Sequence, residues 1–174
     1  VLMPQKFNYI DFSNSITSLP RKSASLSKDR YISNEFMKLE WEGIWTKTWL
    51  FAGIESDLAE VGDFFVYDIG RESIIITRNE EMKISAFYNV CQHRGNKIVT
   101  IESGSFNKVS CPYHGWTYSL NGKLENVPDR ELFEGGVPCE KYSLKSVRVS
   151  IWAGLIFVNM DEESPSLETF LGPI

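Results

Sequence analysis

Apolar side chains between residues 33 and 49 recur at Met37, Trp41, Ile44 and Trp45, the i, i+4, i+7, i+8 spacing of one helical face. Trp49 continues that stripe, and Ser33 stands where an N-cap hydroxyl would satisfy the first free amides. The pattern predicts a helix from about 33 to 48 whose tryptophan face packs on the core. From Gly62 onward the signals are those of strands. Phe64-Phe65-Val66-Tyr67 and Ser73-Ile74-Ile75-Ile76-Thr77 read as a hairpin about Asp68-Ile69-Gly70-Arg71-Glu72. Asn79-Glu80-Glu81 turns into a strand over 82–88. Asn121-Gly122, between Trp116-Thr117-Tyr118-Ser119-Leu120 and Lys123-Leu124-Glu125, favours a type I′ turn. Further strands are expected over 143–152 and 155–160. Many short strands at this spacing predict an all-β sandwich or barrel.

Residues 1–30 break the pattern, with Ser23-Ala24-Ser25-Leu26-Ser27-Lys28 and little periodicity, and are expected to form an arm. The remaining segment, 31–174, is expected to be one domain. At 174 residues with 43% hydrophobic and 13% aromatic content, the chain can build a core and is not a disordered sequence. A net charge of −5 argues against nucleic acid as a partner. No apolar run reaches the ~18 residues of a bilayer span, and no signal peptide is evident, so no membrane association and a cytoplasmic location are expected.

The candidate chemistry is concentrated in two short loops. Cys91-Gln92-His93 and Cys111-Pro112-Tyr113-His114 contain both histidines and two of the three cysteines of the chain. C-x-H is too tight for both of its side chains to chelate one iron in a relaxed loop. Each loop is therefore expected to give one thiolate to one iron and one imidazole to a second. This is the donor set of a Rieske [2Fe–2S] cluster, in which two histidines replace two cysteines on one iron. A structural Cys2His2 zinc site is the rival, but zinc fingers group Cys with Cys and His with His. Reduced thiolates agree with a reducing compartment. Cys139 is read as a free structural thiol. Gly95 and Gly115 follow the two histidine loops and are expected to let backbone amides approach sulfur. Pro112 would stiffen the second loop, Trp116 and Tyr113 would wall it from water, and Tyr118 would either bond a sulfur or fill the core.

The two loops in full, Asn89-Val90-Cys91-Gln92-His93-Arg94-Gly95 and Ser110-Cys111-Pro112-Tyr113-His114-Gly115-Trp116-Thr117-Tyr118, resemble the N-terminal Rieske domain of the catalytic α subunit of ring-hydroxylating oxygenases. So do Trp49-Leu50-Phe51-Ala52-Gly53, Gly62-Asp63-Phe64 and Gly154-Leu155-Ile156-Phe157-Val158-Asn159, so that the likeness covers roughly 31–174. The resemblance implies a Rieske fold, an antiparallel β-sandwich with a small cluster-binding subdomain, here with a helical segment ahead of it. It implies Cys91, His93, Cys111 and His114 as cluster ligands. It also implies a reductase or ferredoxin as electron donor and a mononuclear Fe(II), in a separate C-terminal catalytic domain of the same or a neighbouring subunit of a trimer, as acceptor. His114 matches the histidine that leads to that iron, and Arg94 and Lys97 would shape the docking surface. The Rieske proteins of respiratory complexes carry a disulfide pair where this chain has Asn96 and Tyr113, and a serine where it has Trp116. With fewer hydrogen bonds to sulfur, the potential is expected toward the lower end of the Rieske range, near about −150 mV.

With no histidine to spare, the chain cannot also build the mononuclear iron site, so it is expected to be a piece of a longer oxygenase, acting alone only as an electron relay. The alternative is a stand-alone Rieske-type ferredoxin. The long stretch ahead of Cys91 favours the oxygenase reading. Substrate, and mono- against dioxygenation, belong to residues outside this chain.

Overall fold

The computed structural model describes residues 27–173, and most of the expected arm lies outside them. The chain divides between Met37 and Lys38 into two compact units. Along the chain, α1 (Asp29–Ile32) precedes Ser33, whose Oγ accepts the Phe36 N–H at 3.3 Å as the start of α2 (Asn34–Glu40). The expected cap is therefore present.

The expected continuous α-helix is not. Beyond Glu40 the chain makes a π-helical turn, Trp41–Trp45, in which the Thr46 N–H reaches the Trp41 carbonyl at 3.2 Å. One extra residue in that turn rotates the stripe out of register. Ile44 and Trp45, in that turn, are exposed, as is Met37 ahead of it, and only part of the tryptophan stripe is used for packing. Trp41 lies on the turn at Gly70, where a Cβ would sit 2.3 Å from its ring, with the Arg71 guanidinium 5.5 Å from the ring centroid. Trp49 is buried. Its Nε1 donates to the Pro165 carbonyl at 3.0 Å, and Arg148 covers its ring.

The strands of the second unit form three antiparallel sheets. The first sheet is β1 (Leu50–Ile54), β10 (Leu155–Asn159) and β9 (Arg148–Trp152), in that order. The second runs β4 (Ile84–Tyr88), β3 (Glu72–Arg78), β2 (Asp63–Ile69), β5 (Ser103–Ser105). A small third sheet holds β6 (Val109–Ser110), β7 (Thr117–Tyr118) and β8 (Leu124–Asn126). A capped helix, α3 (Leu167–Leu171), which the sequence pattern did not signal, has Ser166 Oγ accepting from the Thr169 N–H. None of the described helices is long and apolar enough to cross a membrane.

The run Ile74-Ile75-Ile76 explains how the layers join. Side chains alternate across a strand, so Ile74 and Ile76 face Leu50, Leu58, Ala86, Ile156 and Val158 toward the first sheet. Ile75 faces the opposite core, which contains Phe64, Val99, Trp116, Tyr118 and both Cys91 and Cys111. A strand covered on both faces has no polar side to show, hence the unbroken apolar run. The β2–β3 hairpin is longer and tighter than expected: Ile69 pairs with Glu72 across Gly70-Arg71. Conversely, the strand expected over 143–152 begins only at Arg148, with Ser146 forming an isolated bridge to Phe87.

The Asn121-Gly122 turn is real but is not type I′, which requires positive φ at both residues. Gly122 has φ +73°, whereas Asn121 is not among the positive-φ residues. The Gly122 N–H donates to Ser119 O and the Ser119 N–H to Lys123 O, so the loop is Leu120-Asn121-Gly122 with the glycine left-handed at its end. Leu120 is 2% exposed, and drawing it inward lengthens the loop by a residue.

Candidate metal centre

The two candidate loops fold alike. In the first, the Cys91 N–H donates to Asn96 O and the Gly95 N–H to Cys91 O, both at 2.9 Å. In the second, the Cys111 N–H donates to Trp116 O at 2.8 Å and the Gly115 N–H to Cys111 O at 2.9 Å. Each is one helix-like turn closed by a left-handed glycine, with φ +72° at Gly95 and +69° at Gly115. The glycines' own amides are used on cysteine carbonyls.

Neighbouring side chains hold the loops in place. Asn89, fully buried, spans the base of the first. Its Oδ1 accepts the Ile98 and Val99 N–H groups at 3.0 and 2.9 Å, and its Nδ2 donates to Val99 O at 2.7 Å and Ser73 Oγ at 3.2 Å. The second loop sits between β6 and β7, tied by Ser110 Oγ to Thr117 Oγ1 at 2.8 Å.

Cys91 and Cys111 are 2% and 3% exposed, whereas His93 and His114 are half-buried. The thiols thus lie beneath the imidazoles, and the two imidazoles face each other with ring centroids 4.7 Å apart. Trp116 stacks on His93 at 4.7 Å with the planes 6° apart, fixing that ring's orientation. Tyr113 packs on His114 at 3.7 Å but is 59% exposed, so Trp116 alone forms the buried wall and Tyr113 is a lid over His114. The next outward rings, Phe133 and Tyr142, meet Trp116 edge-on.

Both readings of Tyr118 hold at once. The residue is 0% exposed and its Oη lies 3.3 Å from Cys91 Sγ. The Gln92 N–H donates to that same oxygen at 3.1 Å, which leaves the phenolic hydrogen free to donate to sulfur. Burial and the adjacent thiol push the Tyr118 hydroxyl well above its ordinary pKa, so it stays a donor at any physiological pH. Asn96 Nδ2 stands 3.9 Å from Cys111 Sγ, a contact the sequence did not flag. Burial raises the Cys91 thiol pKa, although Tyr118 and the His93 amide oppose that shift. Burial first, then His114 and Arg94, lower that of His93, which favours the neutral imidazole that binds metals.

These donors fit an iron–sulfur group. His93 Nδ1 is buried and has no hydrogen-bond partner. A buried imidazole nitrogen left so costs free energy unless something meets it, and a metal ion does. Among the described residues, no group of three or more His, Cys, Asp or Glu side chains gathers as a single-ion site. A thiol pair set below an imidazole pair is the donor set that a Rieske-type iron–sulfur group would take, with Cys91, Cys111, His93 and His114 as its holders. Cys139 stands apart, half-buried, its thiol donating to Val137 O at 3.6 Å. Arg94 is exposed, and Lys97 Nζ is paired with the Asp68 carboxylate at 3.2 Å.

The profile of the Rieske [2Fe-2S] domain matches residues 48–143. The biphenyl dioxygenase α subunit of Metapseudomonas furukawaii is 36% identical over 149 residues, covering 82% of this chain and 32% of that protein. The glycine betaine monooxygenase oxygenase subunit of Pseudomonas aeruginosa is 32% identical over 157 residues, covering 87% and 35%. Among solved structures, naphthalene 1,2-dioxygenase from Rhodococcus sp. superposes with a TM-score of 0.76 at 34% identity, covering 79% of this chain and 32% of that one. The quaternary ammonium Rieske monooxygenase CntA gives 0.79 at 34% identity, covering 84% and 41%. The chain spans about a third of the length of the curated relatives it matches.

Proposed function

Because the chain belongs to the Rieske [2Fe–2S] domain family, we propose that Cys91 and Cys111 bind one iron of its cluster, that His93 and His114 bind the other, and that the domain relays electrons within an oxygenase α subunit. When bound, the cluster supplies one-electron chemistry. The observation that carries the ligand assignment is the buried, unpartnered His93 Nδ1 above the buried thiols. With Nδ1 turned inward, His93 keeps Nε2 as its second handle, and Trp116 holds the ring while excluding water from one face. Tyr118 and Asn96 supply hydrogens to the two cysteine sulfurs.

The half-buried histidines lie on the accessible side of the site, and electrons enter and leave there. A reductase or ferredoxin is the donor. The acceptor is a mononuclear non-haem iron in a separate catalytic domain, of the same or a neighbouring α subunit in a trimer, with His114 as the contact. Arg94 contributes exposed positive charge beside that edge, whereas Lys97 is occupied by Asp68. The oxygenase setting is preferred to a free ferredoxin because the matched relatives are oxygenase subunits, with the likeness beginning well before Cys91. The organisation proposed is an arm over 1–30 followed by one Rieske domain, with its leading helix, over 31–174.

The test is analysis of the purified protein for iron and acid-labile sulfide, with electron paramagnetic resonance of the reduced form and a redox titration. Two irons, two sulfides and a midpoint below zero are expected. One zinc with no iron, from cells supplied with iron, would refute the assignment.

A further inference from the structure

We infer that Asn96 tunes the reduction potential of this centre by donating a side-chain N–H from the first loop to Cys111 Sγ in the second, an inference that rests on the cluster reading above.

The equivalence of the two loops isolates this residue. Asn96 and Trp116 occupy matching positions, each lending its backbone carbonyl to the cysteine that opens its own loop. Their side chains then part. Trp116 stacks on His93, while Asn96 turns across to the other loop's thiol. The amide has two hydrogens. One is taken by the Lys97 carbonyl, 2.7 Å from Nδ2, which orients the other toward Cys111 Sγ at 3.9 Å. Lys97 is itself held by the Asp68 carboxylate on β2. The donor is therefore anchored at both its backbone and its side chain.

Among the described residues, Asn96 is the side-chain donor to Cys111, as Tyr118 is to Cys91. The two sulfurs are thus served reciprocally. Tyr118, on the strand after the second loop, reaches the first cysteine, and Asn96, on the first loop, reaches the second. A thiolate bound to iron gains negative charge when the centre is reduced, and hydrogen bonds to a charged acceptor are the stronger ones. A donor at Cys111 Sγ therefore favours the reduced state and raises the potential.

The experiment is a spectroelectrochemical titration of the full chain and of two variants, Asn96→Ala and Asn96→Asp, each with its iron and sulfide content measured. Asn96→Ala removes the donor. Asn96→Asp keeps the shape, so it guards against a packing defect, and puts negative charge where the N–H was. Asn96→Ala is expected to shift the reduction equilibrium toward the oxidised form by up to about tenfold, ~59 mV for a one-electron couple. Asn96→Asp should shift it further in the same direction. Resonance Raman should show the iron–cysteine stretching bands rise in both as the hydrogen bond is lost. Variants that hold a full cluster with unmoved potentials and bands would overturn the role of Asn96 while leaving the cluster reading intact. An unsubstituted protein without iron and sulfide would overturn the cluster reading itself.

Discussion

Replacing Asn89 by leucine, of similar size, should loosen the first cysteine loop far more than any surface change. The side chain closes the loop's base with four hydrogen bonds, three of them to the backbone of Ile98 and Val99. Leucine fills the space but leaves two N–H groups and one carbonyl without partners. Ile98 and Val99 are 4% and 6% exposed, so water cannot readily replace what is lost. An orphaned buried polar group costs about 1–3 kcal/mol. Three such groups, with some relief as the segment shifts, place Asn89→Leu at roughly 3–5 kcal/mol of destabilisation. Against the ~5–15 kcal/mol that holds a typical domain folded, this is a large fraction. In a chain of this size ~1 kcal/mol moves the midpoint by about 2–4 °C, so a fall on the order of 10 °C is expected. Circular dichroism of the cluster-loaded protein measures unfolding, and visible absorbance in the same scan measures cluster release. Because Asn89 lies two residues before Cys91, release should precede unfolding in the variant. A midpoint within about 3 °C of the parent, with the two signals still coincident, would refute this account of the loop.

Tyr118→Phe keeps the packing but deletes the hydroxyl at Cys91 Sγ and orphans the Gln92 N–H, so a more negative midpoint and about 1–3 kcal/mol lower stability are expected, read by redox titration and thermal unfolding. Gly122→Ala places a Cβ 2.5 Å from the Phe87 ring at φ +73°, and a loss of roughly 1–3 kcal/mol is expected in the same unfolding assay; an unchanged midpoint would count against the turn geometry. The Ser73 hydroxyl, and then Lys97, hold the Asp68 carboxyl below its ordinary pKa. Its contribution is therefore present above the unfolded value of about pH 4 and is lost as pH falls through the lower folded value. Asp68→Asn should remove that part of the acid-side decline in stability, and since the pair is largely exposed, added salt should weaken it too.

The proposed ligand set could be picked out in the sequence because metal ligation depends on residue type and short spacing. Two Cys and two His, with no other histidine in the chain, already selected the chemistry. Strand character was legible for a similar reason, since Ser73-Ile74-Ile75-Ile76-Thr77 and the turn glycines act within a few residues. Several other features rest on what lies next to what in space. Leu50 pairs with Val158 and Tyr118 reaches Cys91 only because distant segments are brought together by shared cores. Trp41 packs on the turn at Gly70, a distant segment, and Met37, Ile44 and Trp45 are exposed, which the periodicity alone did not reveal. Leu120 is buried and a Cβ at Gly122 would meet the Phe87 ring, neighbours in space that the Asn-Gly dipeptide does not report. Asn89 and Asn96 carry no distinctive local pattern, because an amide's role depends on which donors and acceptors the fold sets within 3–4 Å of it. The sequence by itself marked out the candidate cysteine and histidine donors. The tertiary structure decided which of them are buried, which nitrogen of His93 points inward and which side chains bond the sulfurs, because burial and hydrogen bonding are properties of neighbours in space.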